Sequence, residues 1–139
     1  MDVAERAAIA LEEVCGSLPG GGERRSNQET MTRQVAESID NGCHLIVQAG
    51  TGTGKSLAYL VPAILSGQTT VVATATKALQ DQLFNRDLPF LAENLAPHLG
   101  REITFSLLKG RSNYVCRQRL EEITARDSNP LSGQGKFDG

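Results

Sequence analysis

Ala49-Gly50-Thr51-Gly52-Thr53-Gly54-Lys55-Ser56 lies between an apolar run, Leu45-Ile46-Val47, and a helix-like run, Leu57-Ala58-Tyr59-Leu60-Val61. A buried strand that feeds a glycine-rich turn and then a helix is the setting a phosphate-binding loop requires. In that setting backbone N–H groups converge on an anion. The helix N-terminus adds its unpaired donors and the positive end of its dipole. Gly50, Gly52 and Gly54 remove the Cβ atoms that would hold backbone away from phosphate. Lys55 carries a point charge suited to the β- and γ-phosphate oxygens, and Ser56 offers a hydroxyl to the Mg2+ that bridges them. Thr51 and Thr53 stiffen the loop or donate to the anion directly. Ala49 departs from the strict pattern, which has glycine six positions before the lysine. A chance Gly-Lys-Ser after an ordinary turn is the plainer reading, but the strand, loop and helix signals agree against it.

On either side of the loop the chain alternates helix and strand signals. Residues 3–15 predict a helix, with Val3, Ala7, Ala10, Leu11 and Val14 on one face. Pro19-Gly20-Gly21-Gly22 breaks the chain, and a second helix is expected near Asn27, with Met31, Val35 and Ile39 as its core face. Asn41-Gly42 ends that helix before a strand at 44–48. A helix is expected over 55–65, kinked or shortened by Pro62. Thr69 to Thr74 is β-branched and apolar and predicts a buried strand. A helix over 77–86 follows, then a short helix or loop bracketed by Pro89 and Pro97. A third strand is expected over 103–108, a loop over 109–113, a last helix over 114–124, and a disordered polar tail over 127–139. This rhythm predicts an α/β fold, a parallel sheet with helices on its faces, with the loop at the carboxyl end of the first strand. No internal repeat is visible.

Composition sets outer limits. The 139 residues suit one domain, with 40% hydrophobic and 22% charged side chains. A formal net charge of −2 does not advertise nucleic-acid binding, although a local basic stripe suffices for it. The acidic, alanine-rich N-terminus lacks the charged and apolar regions of a signal peptide. The longest apolar run, Leu57 to Leu65, is too short to span a bilayer. A cytoplasmic protein without membrane contact is expected. Cys15, Cys43 and Cys116 are odd in number and widely spaced, which is no disulfide framework.

Three further stretches bear on the type of phosphate-loop protein. Arg25-Ser26-Asn27-Gln28 places a glutamine amide, able to donate and accept, where it could read the edge of adenine. Taken alone, it also suits a solvated helix start. Residues 71–83 end a strand in Thr74 and Thr76 and open a helix at Lys77. Such an end can hold a nucleic-acid phosphate, or can be a threonine cap and no more. Leu108-Lys109-Gly110-Arg111-Ser112-Asn113-Tyr114-Val115-Cys116 joins cations to an aromatic ring. With Arg117 and Arg119, Lys109 and Arg111 form a basic cluster beside Tyr114, fit for phosphate contact and base stacking or for a solvated helix face.

Over about residues 25–120 these elements resemble the first, RecA-like motor domain of superfamily 2 helicases. The Lys-Gly-Arg-x-Asn-Tyr-x-Cys stretch looks like the start of the iron–sulfur domain in the DinG/XPD branch. Alanine at position 49 is familiar in helicase-like ATPases. The resemblance implies ATP and Mg2+ bound by Arg25, Gln28 and residues Ala49 to Ser56, with Lys55 and Ser56 catalytic. It implies single-stranded DNA contacted by Thr74, Thr76, Lys77, Lys109, Arg111 and Tyr114, with 5′-to-3′ movement in the family. It would make Cys116 the first of four cluster ligands. A cluster needs four thiolates, and one matches, so no assembled cluster is expected here.

The acidic box, the second motor domain and the other cluster cysteines have no counterpart in these residues. The expectation is therefore an incomplete motor domain, an N-terminal portion that binds nucleotide weakly and neither hydrolyses it nor unwinds DNA. The expected division is residues 1–24 as helix and linker, 25–108 as the first half of the motor domain, 109–126 as the start of the iron–sulfur domain and 127–139 as a tail. A small-molecule kinase or a regulatory nucleotide-binding module is the competing reading. A kinase has no need of the Thr-x-Thr and Lys-Gly-Arg-x-Asn-Tyr-x-Cys stretches.

Overall fold

The computed structural model describes residues 2–23 and 25–127, in two compact units divided between Ser106 and Leu107. In the first unit, α1 (Val3–Gly16), α2 (Ser26–Asn41) and α3 (Lys55–Ser66) pack on one another, followed by α4 (Lys77–Gln82) and α5 (Leu88–Leu99). α1 buries Ala4, Ala7, Ala8, Ala10, Leu11 and Val14. α2 buries Gln28, Thr32 and Ala36, one position along from the expected Met31, Val35 and Ile39, which are half-buried. Small side chains at the contact let the helix axes approach closely, and the larger neighbours are left at the margin. The Thr32 hydroxyl, fully buried, donates to the Gln28 carbonyl at 2.9 Å. Asn27 does not cap α2, which begins one residue earlier, at Ser26. Gly42, at φ 64°, closes the helix in the left-handed region.

α3 buries Ala58, Leu60, Val61, Pro62 and Ala63, and it runs through Pro62 to a left-handed Gly67. Arg101 Nη2 donates at 2.6 Å to the Ile64 carbonyl in its last turn. α4 and α5 form one continuous helical run joined by a π turn, Leu83–Asp87, in which the Leu88 N–H reaches the Leu83 carbonyl. Pro89 has no N–H for the Asn85 carbonyl, and its ring crowds that carbonyl. Widening the helix just ahead of it relieves both problems. The break expected at Pro89 is therefore a bulge. Leu11, Val14, Leu60, Val61, Leu83, Leu91 and Leu95 form the core, with Leu91 and Val61 wholly buried. Phe84 and Phe105 meet edge to face at 5.7 Å.

The α/β parallel sheet is overturned. Among the described residues all regular structure is helical, and 44–48, 69–74 and 103–108 form no strand. Ile46 is 97% exposed, Val71 90% and Leu108 84%. A helix closes its hydrogen bonds within its own segment. A strand exists only beside another strand, and neither apolar content nor β-branching supplies that neighbour.

In the second unit a 3-10 turn, Arg111–Asn113, precedes α6 (Arg117–Asp127). The helix expected from Tyr114 thus starts three residues later. The Lys109 N–H donates to the Tyr114 hydroxyl at 2.9 Å, and Asn113 Nδ2 donates to the Gly110 carbonyl at 3.0 Å. The tail expectation lies outside the described residues, except at Asp127. Among the described residues no helix is long and apolar enough to cross a membrane.

Candidate nucleotide-binding site

The glycine-rich loop leads directly into α3, whose first residue is Lys55. Gly52 and Gly54 take φ of 76° and 74°, values that disfavour any residue with a Cβ. A Cβ on Gly50 or Gly52 would meet open space, whereas one on Gly54 would collide with the Gln28 amide. The three glycines therefore differ in role. Gly50 and Gly52 leave the outer face of the loop bare, and Gly54 lets the loop sit against α2.

Lys55 Nζ donates to the carbonyl of Ala49 at 3.1 Å and to that of Gly50. The ammonium is thereby held across the loop opening. The Thr53 hydroxyl donates to the Gly50 carbonyl at 3.0 Å and tightens the turn. Thr51 is exposed at its tip. From the α2 side, Arg25 Nη1 donates to the Gly52 carbonyl, and Gln28 Nε2 donates to the Gly54 carbonyl at 2.9 Å. Gln28 is 6% exposed, and its Oε1 lies 4.0 Å from the Cys15 thiol, a sulfur-range contact. Burial pushes the Cys15 thiol above its ordinary pKa, and the Arg25 charge pulls it partly back. Arg25 and Gln28, singled out from the sequence for nucleotide, thus have loop carbonyls as partners. Two charged or polar donors on loop carbonyls orient the peptide units, which is the preorganisation an anion site requires.

Ser56 stands on the first turn of α3, three residues before Tyr59 on the same side of the helix. Tyr59 is half-buried. Burial pushes its phenol up, the Ser56 hydroxyl pulls it back, and the Asp87 charge pushes it up again. Asp87 is itself 8% exposed, clamped by Gln82 Nε2 and Arg86 Nε, both at 3.0 Å. The sequence reading missed Cys15, Tyr59 and Asp87. Tyr59 had a signal in its three-residue spacing from Ser56. Asp87 had none, because its burial follows from the π turn.

The expected nucleic-acid contacts fall in both units. In the first, Thr76 caps α4, its hydroxyl accepting from the Leu79 N–H at 3.2 Å, and Thr74 donates to the Thr76 carbonyl at 3.1 Å. Lys77 is exposed. In the second, Arg111 and Tyr114 are exposed and Lys109 is half-buried. Cys116 is an exposed free thiol, and its carbonyl accepts the Leu120 N–H at the start of α6. Among the described residues no three potential ligands gather at a metal-binding distance. One thiolate does not fit a four-thiolate cluster.

Residues 29–126 match the family model described as DEAD/DEAH box helicase. The chain belongs to that family. This helicase-family chain is also similar to several curated proteins. It is 49% identical over 132 residues to the ATP-dependent helicase DinG of Mycobacterium tuberculosis, covering 91% of this chain and 19% of that protein. It is 46% identical over 110 residues to the ATP-dependent DNA helicase YoaA of Escherichia coli, covering 79% and 16%. It is 34% identical over 116 residues to the 3′-5′ exonuclease DinG of Bacillus subtilis, covering 81% and 12%. The chain thus spans less than a fifth of the length of each.

Proposed function

We propose that this chain is the ATP-binding portion of a DinG-type, ATP-dependent 5′-to-3′ DNA helicase. The observation that carries the reading is the loop: left-handed Gly52 and Gly54, the Lys55 ammonium across its opening, and Arg25 and Gln28 holding its carbonyls. In this reading the backbone amides from Gly50 to Ser56 receive the phosphates, and Lys55 moves from the Ala49 and Gly50 carbonyls onto the β- and γ-phosphate oxygens. Ser56 offers its hydroxyl oxygen to Mg2+, which supplies charge neutralisation between those phosphates when bound. Arg25 and Gln28 set the loop, and Gln28 is the residue proposed to meet the adenine edge.

Single-stranded DNA is the proposed partner, with Thr74, Thr76 and Lys77 for phosphate and Lys109, Arg111 and Tyr114 for phosphate and base stacking. The isolated chain is proposed to bind nucleotide weakly, without hydrolysis or unwinding, and to act in the cytoplasm. Cys116 plays no part in that binding.

Titration of the chain with a fluorescent ATP analogue, with and without Mg2+, tests the reading. Saturable binding is expected that Mg2+ strengthens, that ATP displaces better than GTP, and that Lys55→Ala abolishes. Equal binding by the Lys55→Ala protein contradicts it.

A further inference from the structure

The stretch from Lys109 to Tyr114 is a loop fastened to itself. The Lys109 N–H donates to the Tyr114 hydroxyl at 2.9 Å. Asn113 reaches the Gly110 carbonyl twice, through its backbone N–H at 2.9 Å and through Nδ2 at 3.0 Å. The Tyr114 N–H donates to the Arg111 carbonyl at 3.2 Å. The tyrosine side chain is thus held at both ends, by Cβ at the backbone and by Oη at an amide five residues back. A ring so held cannot swing freely, yet Tyr114 is 54% exposed. Holding an aromatic still in water costs rotamer freedom and gains little burial. A flat partner laid on the ring meets that ordering cost already covered.

Residues 109–120 carry Lys109, Arg111, Arg117 and Arg119 and no acidic side chain. The three arginines are exposed. The ligand that suits this segment is anionic and offers flat faces. An unpaired base beside its own phosphate has both properties. In a duplex the base faces are stacked on one another, and the phosphates alone remain open to the loop.

We propose that Tyr114, tethered through its hydroxyl to the Lys109 N–H, is the residue by which this loop prefers single-stranded over duplex DNA: the fixed ring stacks on an unpaired base while Arg111 takes a phosphate. The role rests on the DNA partnership proposed above. It adds the selectivity, the residue that sets it and the hydrogen bond that positions that residue.

The test is the ratio of affinities for one labelled oligonucleotide, alone and annealed to its complement, measured on the 139-residue chain. The wild-type chain is expected to prefer the single strand. Tyr114→Ala is expected to lower single-strand affinity about tenfold, the worth of one stacked base, and to leave duplex affinity unchanged. Tyr114→Phe keeps the ring and removes the tether, and Asn113→Ala loosens the loop without touching the ring. Each is expected to lower the ratio about threefold, the lower range for one hydrogen bond. In Tyr114→Phe the Lys109 amide should also exchange faster. Arg111→Ala is expected to weaken both forms together and to flatten the salt dependence. A purely structural role for Tyr114 would lower both affinities in Tyr114→Ala, and that outcome overturns the proposal. So does a ratio that Tyr114→Ala leaves unchanged, or one that Tyr114→Phe leaves unchanged while the Lys109 amide exchanges faster. A wild-type chain that binds neither form removes the DNA partnership itself, and the loop's role with it, a failure visible without any variant.

Discussion

The start of α2 and the stretch 44–48 both adjoin the glycine-rich loop, one in space and one in sequence, and they are opposite in character. Gln28, a polar residue, is 6% exposed with its amide nitrogen on the Gly54 carbonyl, while Ile46, an apolar one, is 97% exposed. Burial here follows from which partners a segment can reach. α2 satisfies its own backbone and can offer side chains to the loop. The 44–48 stretch cannot pair its backbone groups within its own segment, is exposed to water and makes no ladder. The loop is therefore held from the helical side.

That contrast can be broken most forcefully in the core. Leu91→Ala, at a wholly buried position among α1, α3 and α5, is expected to cost about 2–5 kcal/mol in denaturant unfolding. Ile46→Ala is expected to change stability by less than about 0.5 kcal/mol, because a side chain in water loses nothing on truncation. Similar losses at both positions would mean that 44–48 is packed after all.

Gly54→Ala sharpens the point at the loop. The left-handed backbone and the Gln28 amide both oppose a Cβ, so about 1–3 kcal/mol of stability should be lost. Nucleotide binding should fall with it. Gly50→Ala meets no neighbour and should leave stability nearly unchanged. Thr76→Ala, which removes the α4 cap, is expected to cost about 1 kcal/mol, read in the same unfolding experiment.

The smallest effect concerns pH. Burial beside Gln28 raises the Cys15 thiol in the folded chain above its ordinary pKa of 9.0. Its contribution to stability is thus complete below pH 9.0 and is lost as pH rises through the folded value. Cys15→Ser should flatten the alkaline decline. In thiol-labelling experiments Cys15 should react more slowly than the exposed Cys43 and Cys116.

Much of the helical frame was legible in the sequence because its signals are local. Residues 3–15 carry an apolar face at helical spacing, and Asn41-Gly42 carries the left-handed stop. The loop was legible as a pattern for the same reason. What sequence spacing could not supply is partnership. The run Thr69 to Thr74 has the composition of a buried strand, yet composition names no neighbour. Thr32 and Ala36 displaced Met31, Val35 and Ile39 from the α2 core because close helix packing favours small side chains, a property of two helices at once. Gln28 was singled out in the sequence as an amide able to read the adenine edge. Its contact with Gly54 depends on how α2 docks, and the sequence holds no local record of that.

The central claim is that the amides of residues 50–56 form an anion cup closed by Lys55. Amide hydrogen exchange, measured with and without Mg2+ and ATP, tests it most directly. The account predicts slower exchange concentrated at residues 50–56 in the wild-type chain and no such change in Lys55→Ala. Unchanged exchange at those amides, with nucleotide demonstrably bound, would contradict it.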